Sequence, residues 1–184
     1  MEKKTTSQLS WKVLLTQTLS TRSSQLKNDL PRVAIVGIGN EFNGDDAAGV
    51  LVARRLSTRE CSADASHVLV IEAGQAPENI TGELRRFQPQ VVLLIDAAQM
   101  DAVPGDIAWI PWETTSGMSA SSHSLPLSML ARYLTLEFDC SVHLLGIQPV
   151  QNEVNASVSA PVHAAVDEIL QTLCQALFQP LSVS

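Results

Sequence analysis

Five short apolar runs rich in β-branched residues recur along the chain, and they constrain its fold more than any other feature. They are the segments RVAIVGI, HVLVIEA, VVLLIDAA, DIAWIPW and VHLLGIQP, and several read as strands buried on both faces of a sheet. Apolar residues at helical spacing occupy the segments DDAAGVLVARRLS, PENITGELRRF, LPLSMLARYLTLEF and APVHAAVDEILQTLCQALF. The alternation predicts an α/β fold, a single three-layer domain with a twisted, mainly parallel five-stranded sheet and helices on both faces. The short link QMDAVPG is compatible with a local antiparallel excursion.

The length of 184 residues fits one domain with a core of ordinary size. We assign residues 32–180 to this domain and residues 1–31 to an N-terminal extension that is weakly ordered or forms a short helix. In such a helix, Leu9, Val13 and Leu19 are expected to share one face.

Composition and charge exclude several classes of protein. A hydrophobic content of 45% with 17% charged residues is typical of a folded chain rather than a disordered one. No apolar run reaches the roughly 18 to 20 residues that span a bilayer, so we expect no membrane contact. The formal net charge of -7 repels phosphate backbones and argues against nucleic acid as a partner. Cys61, Cys140 and Cys174 form no CxxC pair, a pattern that fits a reducing cytoplasm.

Three polar segments follow predicted strand ends, where ligands of open α/β sheets bind. They are GNEFNGDD, DAAQMD and TTSGMSASSHS. Gly37, Gly39 and Gly44 suit a tight strand-to-helix turn, but Phe42 stands where a dinucleotide fingerprint requires glycine. Because the phosphate-cradling lysine motif is absent as well, we predict no nucleotide site here.

Asp45 and Asp46 stand side by side where the first of these segments leads into a helix. Capping of that helix accounts for one carboxylate and is worth roughly 1 kcal/mol. Because one acid suffices for a cap, we assign Asp45 to shaping or capping the turn. Asp46 is then expected to point into the crevice.

Asp96 and His123 add two further candidates. Asp96 follows the apolar run VVLLI, and a buried carboxylate there needs a charged, metal or hydrogen-bonding partner. His123 lies in a loop of small residues, where it is either a ligand or an ordinary loop histidine. Together Asp46, Asp96 and His123 offer two oxygens and one nitrogen to a divalent cation and leave coordination positions open. An acid/base pair of aspartates around a water molecule is the alternative.

The other histidines and the familiar protease motifs add nothing to this site. We predict structural roles for His67, at a strand start, and His143, within a strand, and we leave His163 on the last helix out of the site. The chain has no G-x-S-x-G elbow, H-E-x-x-H helix or cysteine-protease signature.

Five segments stand in a characteristic order along the chain: GIGNEFNGDDAAGVLVARRL, EAGQAPEN, LLIDAAQMDAVPGDI, SSHSLPL and LLGIQP. Together they resemble the hydrogenase maturation endopeptidases, most closely those that serve formate-hydrogenlyase-type [NiFe] hydrogenases. The resemblance runs from about Val33 to Phe178. The family's GG motif after the second strand appears here as Glu72-Ala73-Gly74, so a close backbone approach at Ala73 is in question.

The resemblance implies an endopeptidase that removes a C-terminal peptide from the nickel-loaded precursor of a [NiFe] hydrogenase large subunit. It also implies that Asp46, Asp96 and His123 are the metal-contacting and catalytic residues. Nickel is then supplied within the substrate, and no organic cofactor is needed. We expect a cytoplasmic monomer whose partner is that precursor.

Two other functions remain open from the residues. One is a hydrogenase-assembly protein that senses the metal state of the precursor without cutting it. The other is a metal-dependent peptidase with other substrates. Within the leading function, the metal as a Lewis acid and a carboxylate as a general base both remain open.

Overall fold

The fold is described by a computed structural model that covers residues 10–26, 29–58, 65–114 and 126–178. The five helices of these ranges are α1 (Trp11–Gln25), α2 (Ala48–Thr58), α3 (Thr81–Phe87), α4 (Leu127–Phe138) and α5 (Ala160–Phe178). Their five strands are β1 (Val33–Ile38), β2 (Val68–Gly74), β3 (Val91–Ala97), β4 (Ile107–Ile110) and β5 (Ser141–Ile147).

The strands form one sheet in the order β2-β1-β3-β5-β4. β1 pairs in parallel with both β2 and β3, and β3 pairs in parallel with β5. β4 is antiparallel to β5, because the short link between β3 and β4 leaves no room for the dozen or so residues of a parallel crossover. The predicted α/β fold with a mainly parallel five-stranded sheet is therefore confirmed, and the short link does form an antiparallel excursion.

Two apolar layers cover the sheet, one on each face. α1, α2 and α5 pack on one face, against strand residues that include Val33, Ile35 and Leu93. α3 and α4 pack on the other face, where Val92 and Leu94 lie. The alternation along β3 is that of a strand buried on both sides. Within the described ranges, no helix has both the length and the apolar character that a membrane span requires.

Helix α1 joins the first layer through a different face from the one expected. Trp11 and Leu15 are buried, and Leu19 packs against the same core, so the apolar residues recur at every fourth position. Val13, which was expected on this face, is 41% exposed. Leu9, the other member of the expected face, lies outside the described residues.

Two glycines let α2 pass directly over the end of β1. A Cβ added at Gly37 would collide with the carbonyl of Gly49 and approach Ala53 Cβ to 2.6 Å. A Cβ added at Gly49 would collide with the carbonyls of Ile38, the last residue of β1, and Ile95, near the end of β3. The start of α2 is thus held against the junction of these two strands, and small residues are required there.

We predict that Gly49→Ala destabilises the fold by at least about 2 kcal/mol, because the new methyl group must displace strand backbone. Gly82→Ala on α3 is the matched control, since the nearest heavy atom to its added Cβ is 4.0 Å away. That change should be neutral or stabilising by up to about 1 kcal/mol. Urea unfolding of both variants measures the difference, and equal stabilities would refute the close-approach argument.

Candidate functional site

The predicted aspartates lie at the carboxyl edge of the sheet, at the point where the chain changes direction across it. Asp45 and Asp46 belong to a short 3-10 turn, Gly44–Ala47, between β1 and α2. Asp96 is the second-last residue of β3, and β3 lies beside β1 in parallel register. α2 covers one face after β1 and α3 covers the other face before β3. This is the topological switch point at which open α/β sheets form crevices.

Asp46 closes the turn over the end of β1. Its side chain is only 3% exposed, and its Oδ2 accepts a hydrogen bond from the Asn40 N–H at 3.0 Å. Its own N–H donates to the Asn43 carbonyl at 3.1 Å. Gly39 has φ of +133°, and a Cβ there would collide with the Asp46 carbonyl. The carboxylate is therefore held by a compact turn that only glycine permits at this position.

Asp96 is even more deeply buried, at 1% exposure. It continues the alternation of Val92 and Leu94, so it points to the face that α3 and α4 cover. A carboxylate in such a position requires polar or charged neighbours, since an isolated buried charge is very costly.

His123 lies outside the described residues, which resume at position 126 just before α4. The structure therefore brings Asp46 and Asp96 to one edge and leaves the third predicted ligand untested. In the described part of the chain, no three His, Cys, Asp or Glu residues form a group able to hold a metal ion. The donor set of two carboxylates and one imidazole thus remains a prediction that includes His123.

Asp45 braces the turn against a distant part of the chain. Its buried carboxylate accepts four hydrogen bonds: from the N–H groups of Val150, Gln151 and Ser159 and from the Ser159 hydroxyl, at 2.8, 3.2, 2.6 and 2.9 Å. Asp45 therefore shapes the turn as predicted, but the alternative of capping the adjacent helix is wrong, because its donors belong to the segment 150–159 rather than to α2. Ser159 directly precedes α5, so the negative charge also lies at the favourable end of that helix.

Gln148 is a site-edge residue that the sequence analysis did not identify. It is 3% exposed, and its Oε1 accepts from the N–H groups of Met100 and Ala102 at 2.8 and 3.3 Å. Its Nε2 donates to the Pro149 carbonyl at 3.2 Å. The loop that follows Asp96 is therefore fixed by the residue that follows β5. A polar residue directly after an apolar strand was the available signal, as it was for Asp96.

A surface ion-pair network links the site turn to β2. Arg54 contacts Glu41 at 2.9 Å and Glu72 at 3.0 Å. The side-chain hydrogen bonds with Glu41 and then Glu72 raise the pKa of Arg54 above its ordinary value. Because all three side chains are well exposed, this network contributes little stability, but it ties the loop after β1 to the end of β2.

The remaining described histidines and cysteines lie away from the candidate site. His67 Nε2 lies 3.1 Å from the Leu177 carbonyl, and His163 is exposed on α5. The His143 ring packs against Trp109 with centroids 4.7 Å apart, in line with the structural roles predicted for His67 and His143. Burial raises the pKa of the Cys140 thiol to about 11, so it is an inert thiol at neutral pH.

The chain is similar in sequence and in structure to hydrogenase maturation proteases. The sequence model of the hydrogenase maturation protease family matches residues 50–176. A relative from Methanocaldococcus jannaschii is 32% identical over 155 residues, which are 82% of this chain and 90% of that protein. The hydrogenase 3 maturation protease of Escherichia coli K12 is 32% identical over 137 residues, which are 74% of this chain and 85% of that enzyme. The crystal structure of a [NiFe] hydrogenase maturation protease from Thermococcus kodakarensis matches with a TM-score of 0.74 at 27% identity, covering 90% of this chain and 99% of that one.

We predict that Asp45→Ala lowers the free energy of unfolding by roughly 3 kcal/mol, because three backbone N–H groups lose a buried, charged acceptor. Ser159→Ala removes only the hydroxyl donor and should cost about 1 kcal/mol. Denaturant unfolding gives both values, and amide hydrogen exchange should show lost protection at Val150, Gln151 and Ser159 only in the first variant. Retained protection there would contradict the bracing role of Asp45.

A second prediction concerns acid stability. Burial, followed by the charge of Arg22, lowers the pKa of His143 to about 4, against an ordinary value near 6.5. Between pH 6.5 and pH 4 the histidine therefore binds a proton in the unfolded chain but stays neutral in the folded protein. The folded protein accordingly has its full stability above pH 6.5 and loses stability as the pH falls towards 4.

His143→Phe should accordingly flatten the pH dependence of unfolding between these two values by up to about 1.4 kcal/mol per pH unit. Leu136→Ala, at an exposed residue of α4 that carries no titrating group, is the control and should leave the slope unchanged. Urea unfolding at several pH values measures both, and an unchanged slope in His143→Phe would refute the assignment.

Proposed function

Because the chain belongs to the hydrogenase maturation protease family, we propose that it removes a C-terminal peptide from the nickel-loaded precursor of a [NiFe] hydrogenase large subunit. Support comes from the relatives, which are named as hydrogenase maturation proteases and as an endopeptidase. Nickel enters this proposal as part of the substrate. It is the feature by which the enzyme distinguishes a precursor that is ready for processing from one that is not.

The observation that carries the proposal is the burial of two carboxylates at one switch-point edge. Asp46 and Asp96 are 3% and 1% exposed, and they follow β1 and β3, which pair directly with each other. His123, which precedes α4 in the chain, is the proposed third donor. Nickel accepts imidazole nitrogen and carboxylate oxygen, so the chemistry of this set suits a nickel ion that the substrate also holds.

The proposed role of these side chains is to position the precursor relative to the edge. A precursor that reaches Asp46 and Asp96 through its own nickel has its scissile bond held at a fixed place, and such orientation accounts for large rate factors. Water is then activated either by a carboxylate acting as a general base or by the metal acting as a Lewis acid. We propose further that the enzyme works as a monomer in the cytoplasm.

We predict that Asp46→Ala, Asp96→Ala and His123→Ala, tested singly, each lower the rate of precursor cleavage by at least roughly 100-fold. Two exposed positions on α5 provide the controls, His163→Ala and Asp167→Ala, and both should cleave at the wild-type rate. Intact mass spectrometry of the precursor, prepared with and without nickel, measures the loss of the C-terminal peptide.

The outcomes separate the competing functions. Normal trimming by the three site variants would refute the assigned residues, and trimming of nickel-free precursor would refute recognition through nickel. Nickel-dependent binding without a change in mass would identify a sensor of metal state. Cleavage of unrelated peptides at a comparable rate would identify a general metal-dependent peptidase.

A further inference from the structure

Three large apolar side chains are exposed beside the candidate site, and we call them the apolar rim. They are Phe42, Val150 and Val154, which are 63%, 52% and 71% exposed. Phe42 belongs to the turn that carries Asp46, and the two valines belong to the segment after β5. None of the three is needed for the core of the domain.

Main-chain hydrogen bonds join the rim into one surface. The Asn155 N–H donates to the Phe42 carbonyl at 2.6 Å, and the Asp45 N–H donates to the Gln151 carbonyl at 3.1 Å. The Asp45 carboxylate in turn accepts from the Val150 N–H at 2.8 Å. The two segments are therefore held side by side by their backbones, and the exposure of their apolar side chains is a property of an ordered surface.

The rim adjoins the turn that carries Asp46. Asn40, two residues before Phe42, donates its N–H to the Asp46 carboxylate at 3.0 Å. A polypeptide lying on the rim would thus extend directly from the site edge. Contiguous exposed apolar residues bordered by polar ones mark interaction surfaces, since leaving such side chains in water is unfavourable.

The charges around the rim restrict its occupant. Lysine and arginine are absent from residues 38–48, 98–106 and 148–159, which form the loops at this edge. Exposed acidic side chains in the same loops are Glu41, Asp101, Asp106 and Glu153. Arg54 reaches this edge from α2, and its charge is engaged by Glu41 and Glu72. An acidic segment would be repelled here, whereas a segment with apolar and basic residues is complementary.

We propose that the apolar rim binds the C-terminal extension of the large-subunit precursor, and that this extension carries apolar side chains flanked by lysine or arginine. This inference rests on the proposed function and adds a recognition surface beyond the metal. The rim holds the polypeptide on one side of the scissile bond, while Asp46, Asp96 and His123 meet the nickel. Binding to the rim is expected to affect KM and to leave the chemical step unchanged.

The test uses two variants, a double apolar-to-polar substitution and a single charge reversal. Phe42→Ser with Val154→Ser should raise KM for the nickel-loaded precursor roughly ten- to hundred-fold, as expected for losing burial of two apolar side chains, with kcat within about twofold. Glu153→Lys should weaken binding of a synthetic peptide of the extension, and the effect should shrink at high salt. Matched controls are Leu136→Ser, at a 76% exposed residue on α4, and Glu83→Lys, at an exposed residue on α3.

Direct binding separates failure of this inference from failure of the proposed function. Wild-type protein and the rim variants are mixed rapidly with nickel-loaded precursor that has or lacks the extension, and binding is measured before cleavage proceeds. Loss of affinity in the rim variants only when the extension is present supports the inference, even if the wild-type protein cuts nothing. Wild-type cleavage with unchanged KM and affinity in the rim variants overturns it and leaves the proposed function standing. No binding of the precursor overturns both, and a dimer that dissociates in the rim variants would assign the rim to a second copy of this chain instead.

Discussion

The buried carboxylate of Asp45 is the interaction on which the carboxyl edge of this protein depends. A charge with no exposure is tolerable only when several donors surround it, and here four donors do so, all from residues 150–159. The same residue thus determines where the segment after β5 lies and fixes the start of α5. Its neighbour Asp46 lies in the same turn, whose backbone this arrangement fixes, and the proposed ligand role of Asp46 requires such a fixed backbone.

A second constraint is the close packing of α2 on the sheet beside the turn. Gly37 and Gly49 allow α2 to rest on the ends of β1 and β3 without an intervening side chain. The turn, the helix and both strands therefore behave as one packed unit. Gln148 extends this unit to the loop after β3 through hydrogen bonds to Met100 and Ala102. Asp46 and Asp96 are thus supported by α2, by Gln148 after β5 and by the segment 150–159 that holds Asp45.

The parts of the molecule that follow local rules could be predicted from the sequence, and the parts that depend on distant partners could not. Apolar runs identified all five strands, and the short link before β4 left open the antiparallel direction that the structure shows. A polar residue after an apolar run identified Asp96 as a strand-end carboxylate. The partners of Asp45 lie more than 100 residues away in the chain, so capping of the adjacent helix was the only local explanation. The buried face of α1 was misassigned because Trp11, rather than Val13, anchors the helix to the core.

The placement of the sulfur atoms bears on how such an enzyme would release its product. Of the described cysteines, Cys140 lies at the amino end of β5, and Cys174 lies fourteen residues into α5, roughly 21 Å along the helix from its start near the site. Both are therefore remote from the carboxyl edge. Thiolates are soft ligands that retain transition metals strongly, whereas oxygen and nitrogen donors hold them less firmly. Under the proposed function, oxygen and nitrogen donors at this edge would bind the nickel of the precursor weakly. The enzyme would then dissociate and leave the ion in the hydrogenase subunit.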